Sequence, residues 1–291
     1  MVADYCTPIT DLQSLFVAAV ALSFAVISFL FMLGRMISKS EFEAMARKEL
    51  RETLIAIVIA VAVVGLAGVS CEGLKAVMTD YAPGHTQFTY SYEYINLLIY
   101  EVGVPSLQSM WLLSYSMKNL KLEVTLPAGM NYNMFDALTT YSMVLERMAG
   151  LIFTPFIGSL HAQLLLLQFS QAFAITLILP IGMVLRAIPM ARTGGSFLIA
   201  LAFGLYVVLP LMYVVDYDIS KRIWPGFDAY TAAPTPTDYS YSMFSEMYER
   251  AFSPIQSISK ILPQATILAI LNLTIFQSFV ETFTKFINDI G

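Results

Sequence analysis

The feature that most constrains this chain is Leu177 to Asp216, two apolar blocks joined by a short basic turn: LILPIGMVLRAIPMARTGGSFLIALAFGLYVVLPLMYVVD. Thr193 to Val215 carries no charged residue. As a helix it reaches about 34 Å, enough to cross the hydrocarbon core of a bilayer. The turn carries Arg186 and Arg192, and Lys and Arg resist translocation, so a basic turn between two spans belongs on the cytoplasmic side. Pro189 prevents the turn from continuing as helix. The pair Gly194–Gly195 lets the chain reverse and lets a neighbouring backbone approach closely.

Other charge-free runs extend the pattern. Leu12 to Gly34, Thr53 to Cys71 and Ile261 to Val280 each read as a span. Met148 to Leu185 is uncharged throughout, too long for one crossing, and Gly158–Ser159 with His161 marks the expected break inside it. The preceding span then starts near Phe135 and carries Glu146 and Arg147. Tyr94 to Met117, holding Glu101 and Pro105, reads as a tilted, broken or re-entrant helix. The fold class expected is all-α, a polytopic helical membrane protein with about seven transmembrane helices, N-out and C-in. Residues 1–291 are expected to form a single integral membrane domain in the cell membrane, with membrane lipid among its partners. The orientation follows from the loop carrying Arg35, Lys39, Arg47, Lys48 and Arg51, with Lys118, Lys121, Arg186, Arg192 and Lys285 falling on the same side when seven spans are counted. The N-terminus lacks the basic start of a cleaved signal peptide, so the first span is expected to be retained.

Composition supports the class. Only 13% of residues are charged, against roughly a quarter in a soluble domain. A net charge of -5 gives no basic face of the nucleic-acid-binding kind. Two cysteines exclude a disulfide-rich scaffold and a paired-cysteine metal site. In the N-out arrangement, however, Cys6 and Cys71 fall at the same outer end of an antiparallel helix pair. They are either a candidate disulfide or two small unpaired apolar residues. No nucleophile elbow, HExxH helix or phosphate loop occurs, so no enzyme, cofactor or metal site is expected.

Polar groups inside apolar spans are the usual functional markers. Here they are Glu101, Glu146, Arg147, His161, Gln163, Gln168 and Gln171. Glu146 and Arg147 are adjacent and point to different sides of a helix, so each needs a partner elsewhere or snorkels to the interface. His161 reads as a turn residue and the glutamines as interhelical hydrogen-bonding groups. The loop SKSEFEAMARKELRE is either a solvated helical link or a docking helix for a cytoplasmic ATPase. Residues 218–259, with Trp224 and several tyrosines, form an extracytoplasmic loop or small lobe, either interfacial anchors or a partner-binding surface. Asn272-Leu273-Thr274 matches the glycosylation pattern but lies within a span.

The hinge resembles the polytopic membrane subunits of type IV secretion and conjugation systems, the TrbL-type proteins and their archaeal relatives of the CedA type. The matching pieces are the span with Pro180 and Gly182, the Arg186-Ala-Ile-Pro189-Met-Ala-Arg192 turn, Gly194–Gly195, and the Gly204-Leu-Tyr…Pro210 span. A final span with Pro263 at its entry and Gly291 at the chain end also fits. The resemblance implies a non-enzymatic channel or scaffold subunit for DNA transfer or DNA import. Its implied partners are further copies of itself as a homo-oligomer, pilin-like small membrane subunits, a cytoplasmic ATPase and single-stranded DNA. An archaeal source suits the many small apolar residues. The chain lacks the large soluble domain of some bacterial members and any strongly basic pore-lining run. A small-solute transporter or ion channel is the alternative, although the two halves do not mirror each other as inverted repeats would. On the first reading the turn offers two guanidinium forks to a partner or phosphate at the cytoplasmic mouth. Arg186→Lys with Arg192→Lys is then expected to assemble normally yet impair DNA transfer.

Overall fold

The computed structural model describes residues 12–37, nine positions between 50 and 65, and residues 85–119, 123–125, 131–133, 136–186, 188, 191–224 and 257–290. Its elements, in chain order, are α1 (Leu12–Ile37), α2 (87–119), β1 (Glu123–Thr125), β2 (Asn131–Asn133), α3 (136–186), α4 (Arg192–Ile223) and α5 (Ser257–Asp289). The described residues of 50–65 are also helical. The class is therefore helical, with one small antiparallel hairpin that pairs Val124 with Tyr132. Among the described residues, three helices are long and apolar enough to cross a membrane: Thr139–Arg186, Arg192–Ile223 and Ser257–Asp289.

The largest correction to the sequence reading concerns α3. No break occurs at Gly158–Ser159, and Thr139–Arg186 is one helix of 48 residues. Gly158 has nothing near its Cα that a side chain would strike, so it is tolerated in the helix rather than needed for a turn. His161 is accordingly a helical residue, with Nδ1 2.9 Å from the Ile157 carbonyl oxygen and its ring edge-on to Tyr100. Tyr94 to Met117 is likewise unbroken, lying within α2.

Proline explains how these helices stay continuous. Within an α-helix its ring collides with the carbonyl four residues back and removes that carbonyl's donor. Pro105, Pro155, Pro180 and Pro210 each stand two residues past a π-helical segment: Leu97–Gly103, Ala149–Phe153, Ala174–Ile178 and Gly204–Val208. Pro263 opens another, Pro263–Leu268. The wider turn moves the obstructed carbonyl aside, so the chain bulges instead of breaking. Carbonyls loosened in this way become acceptors for neighbouring helices. Tyr206, four residues before Pro210, accepts from Gln87 Nε2 at 2.7 Å, and Leu205 accepts from Ser170 Oγ. Ala265, inside the π segment that Pro263 opens rather than ahead of a proline, accepts from Ser159 Oγ at 3.0 Å.

The sequence reads as a single domain, but the chain divides into two compact units, each assembled from separate stretches. The first comprises Met1–Tyr92, Leu165–Ile219 and Leu271–Gly291. Its core is the α3–α4 hairpin with the end of α5, where Ile175, Leu179, Met183, Ile199, Phe203, Val280 and Ile287 are buried together. Val20 of α1 packs against this core, and the Phe203 ring lies tilted against Phe279 and Phe283, with centroids 5.5 and 5.4 Å away. The second unit comprises Glu93–Leu164 and Ser220–Ile270. In it, α2 packs on the start of α3, where Ser114 Oγ donates to Ser142 O at 3.2 Å, and Met110, Met117 and Leu145 are buried.

Candidate functional site

The α3–α4 turn sits in the first unit, and its geometry differs from the open mouth expected of it. Arg186 ends α3 and is 1% exposed. Its Nη1 donates to Ser196 Oγ at 2.7 Å and its Nη2 donates to the carbonyl of Ile287 at 3.1 Å. Ile287 lies in the last turn of α5, where carbonyls lack intrahelical donors and the helix dipole favours a cation. Ser196 in turn donates to Arg192 O at 3.2 Å. One guanidinium therefore ties the end of α3, the first turn of α4 and the end of α5. Arg186 is thus removed from contact with any soluble phosphate, correcting the expectation that it forms a fork at a cytoplasmic mouth. Arg192 is half-buried at the first position of α4. Pro189 lies outside the described residues.

The two glycines also separate. Gly194 and Gly195 are in the first turn of α4 rather than in the reversal. A Cβ at Gly195 would overlap the Arg186 amide nitrogen and lie 2.6 Å from the Gly182 carbonyl oxygen. A Cβ at Gly194 meets nothing within 4 Å. Gly195 therefore sets the close approach of α3 and α4, whereas Gly194 does not.

Further along the same unit, Asn272 Nδ2 donates to Asp216 Oδ2 at 2.6 Å, and both residues are buried. The sequence reading did not single out Asp216, although it closes the charge-free run of α4. Burial of Asn272 at 1% exposure agrees with discounting it as a glycosylation acceptor.

The second unit holds an uncharged polar cluster. Gln264, fully buried on the π segment of α5, donates through Nε2 to Gln163 Oε1 at 3.0 Å. Gln163 Nε2 lies 3.3 Å from the Gln264 carbonyl. Tyr94 OH donates to Gln264 Oε1 at 3.2 Å and lies 3.0 Å from Ser220 Oγ. Four helices are joined by groups of which only Gln163 was named from sequence. Periodicity carried no signal for Tyr94 or Gln264, but the proline before Gln264 did mark the bulge. In the first unit Gln171 accepts from Tyr92 OH at 2.7 Å, as expected of an interhelical glutamine, while Gln168 is exposed.

Of the acidic residues singled out, Glu146 finds a partner on another helix. Lys118 Nζ lies 2.5 Å from Glu146 Oε1, and Ser114 Oγ donates to the same oxygen at 3.0 Å. The structure does not bring Arg147 or Glu101 into this group: Arg147 is exposed on α3 and Glu101 is exposed on the π segment of α2. Cys6 and Cys71 lie outside the described residues, as does most of the 218–259 lobe. Its start, through Ile223, extends α4. Among the described residues no group of three His, Cys, Asp or Glu side chains is placed to hold a metal.

These features define a helical protein with three membrane-length apolar helices whose interior polar groups join helices to one another. Comparison with protein-family models, curated proteins and solved structures finds no match to this chain.

Proposed function

We propose that the chain is a multi-pass cell-membrane protein serving as a non-enzymatic channel or scaffold subunit of a conjugation-like type IV secretion apparatus that moves DNA. The observation that carries this reading is the α3–α4 hairpin, whose Pro180, Gly182, Arg186, Gly195 and Pro210 are the residues of the resemblance. Gly182, Gly195 and Arg186 meet at the close approach of the two helices. The partners proposed are copies of the same chain, pilin-like small membrane subunits, a cytoplasmic ATPase and single-stranded DNA. The Arg35–Arg51 loop remains the cytoplasmic marker, with the N-terminus outside.

The seven-span count depended on a break in α3. Counting α3 as one crossing gives six, which puts the 187–191 turn on the side opposite the Arg35–Arg51 loop and both termini outside. Burial of Arg186 removes it from the positive-inside argument that had placed this turn inside. Thiol labelling from each side, with cysteines at Lys39 and Met190 in a cysteine-free background, tests it. Opposite-side labelling supports six crossings, and same-side labelling restores seven.

A second reading, an ion channel or solute transporter, draws on the buried Asp216–Asn272 pair, because ionisable groups within membrane helices mark ion pathways. Deleting the gene separates the two. Loss of DNA transfer between cells with unchanged solute uptake supports the first reading; the reverse supports the second.

A further inference from the structure

We propose that the outward face of α5 lines a water-filled path that enters the membrane from the C-terminal end of this helix and reaches past its midplane. The proposal rests on the membrane-spanning reading above and names the part of the chain that would form the channel wall.

Thr274, Gln277, Ser278, Glu281, Thr282 and Lys285 recur every three or four residues and are all exposed, so they share one face of the helix. The opposite face carries Phe276, Phe279, Val280, Phe283 and Ile287, which pack on the core of the first unit. Gln277 Nε2 lies 3.3 Å from Glu281 Oε1 along the stripe. A helix of this pattern is unremarkable on a soluble surface. Its level is what matters here.

Three contacts fix that level against α4. A Cβ at Gly204 would lie 2.8 Å from the Phe276 ring and 3.1 Å from Val280. Phe203 packs against the rings of Phe279 and Phe283. Arg186, beside Ser196, bonds Ile287 O. Gly204 lies midway along the charge-free run Thr193 to Val215, so Gln277 and Glu281 fall within about one helical turn, roughly 5 Å, of the middle of that run. At the same level α3 exposes Leu177 and Ile181, and Phe197 of α4 is exposed about 10 Å nearer the turn. Those faces suit lipid. The α5 face does not, since a carboxylate and two amide or hydroxyl rows facing hydrocarbon would be strongly disfavoured. Nearer its N-terminus α5 turns outward Ile267, Ile270 and Leu271, so the polar wall ends there. Its chemistry is hydroxyl and amide, with one carboxylate near the middle and one ammonium a turn beyond. That lining suits hydrated cargo in passage rather than a tightly held ion.

The test uses the full chain in sealed liposomes, with Cys6→Ser and Cys71→Ser and single cysteines introduced as Ser278→Cys, Thr282→Cys, Leu177→Cys and Asp289→Cys. Each is treated with a charged, membrane-impermeant methanethiosulfonate. Because the thiolate is the reacting species, a lipid-facing cysteine should react on the order of 100-fold more slowly than a hydrated one. The expected result is that positions 278 and 282 react at rates close to position 289 while position 177 is slow. Positions 278 and 282 as slow as 177 would overturn the proposal in favour of a dry face. Position 177 as fast as 278 would overturn it by placing this level outside the membrane. Normal DNA transfer after gene deletion would remove the DNA role while leaving the labelling pattern intact, so the two failures are distinguishable.

Discussion

The two compact units solve the same problem with different chemistry. In the first, a single guanidinium joins three helix ends at the α3–α4 turn. In the second, neutral amides and hydroxyls join four helices around Gln264. The contrast shows where each kind of group is tolerated. A buried charge is placed at a helix C-terminus, where unsatisfied carbonyls and the dipole favour a cation. Around Gln264, mid-helix, the joining groups are neutral, and Gln163 reaches a backbone carbonyl of the π segment. Cross-links of the first kind should therefore be more costly to remove than those of the second.

The largest effect expected is from Arg186→Leu. It leaves the Ile287 carbonyl and the Ser196 hydroxyl without their donor or acceptor and should destabilise the chain by about 3 kcal/mol or more, seen as loss of the monodisperse folded species in detergent. Next is Gly195→Ala. The new methyl meets backbone rather than a yielding side chain, so a cost of about 1–3 kcal/mol is expected from overpacking. Gly194→Ala is its control: open space there should make it neutral or stabilising by roughly 0.5–1 kcal/mol, since glycine is a poor helix former. Equal losses at 194 and 195 would remove the close-approach account.

Gln264→Leu should cost less than Arg186→Leu, about 1–2 kcal/mol, because it leaves only neutral groups short of a partner. A larger loss at Gln264 than at Arg186, measured by thermal unfolding in the same detergent, would reverse the comparison. The smallest effect is expected from Lys118→Ala. Its pair with Glu146 is partly exposed, the lysine more than the glutamate, and partly exposed pairs contribute about 0–1 kcal/mol, so the unfolding midpoint should shift least here.

Charge-free runs made much of this legible in the sequence. Leu12, Thr193 and Ile261 mark helices because an uncharged stretch of that length has few other stable forms. The continuity of α3 was not legible, since Gly158 and Pro155 signal a break locally. The π segment at Ala149–Phe153 that absorbs Pro155 depends on where the proline-displaced carbonyl can go. Arg186 was identified by position but not by role. Its burial depends on Ile287, about a hundred residues away, and no local pattern carries that information. The outward polar face of α5 was present in the sequence as a period of three to four. It acquires meaning only from the level at which Phe276 and Val280 meet Gly204.

Arg186 bolts the helices together from inside and does not reach for a ligand at the surface. Arg186→Lys tests it most directly, because lysine keeps the charge but cannot span both acceptors with a planar fork. The unfolding midpoint of the purified full-length protein and DNA transfer in cells should be read on the same variant. A lowered midpoint is expected, with transfer falling only in proportion to the folded protein present. An unchanged midpoint with transfer abolished would contradict it and return Arg186 to the role of a surface contact.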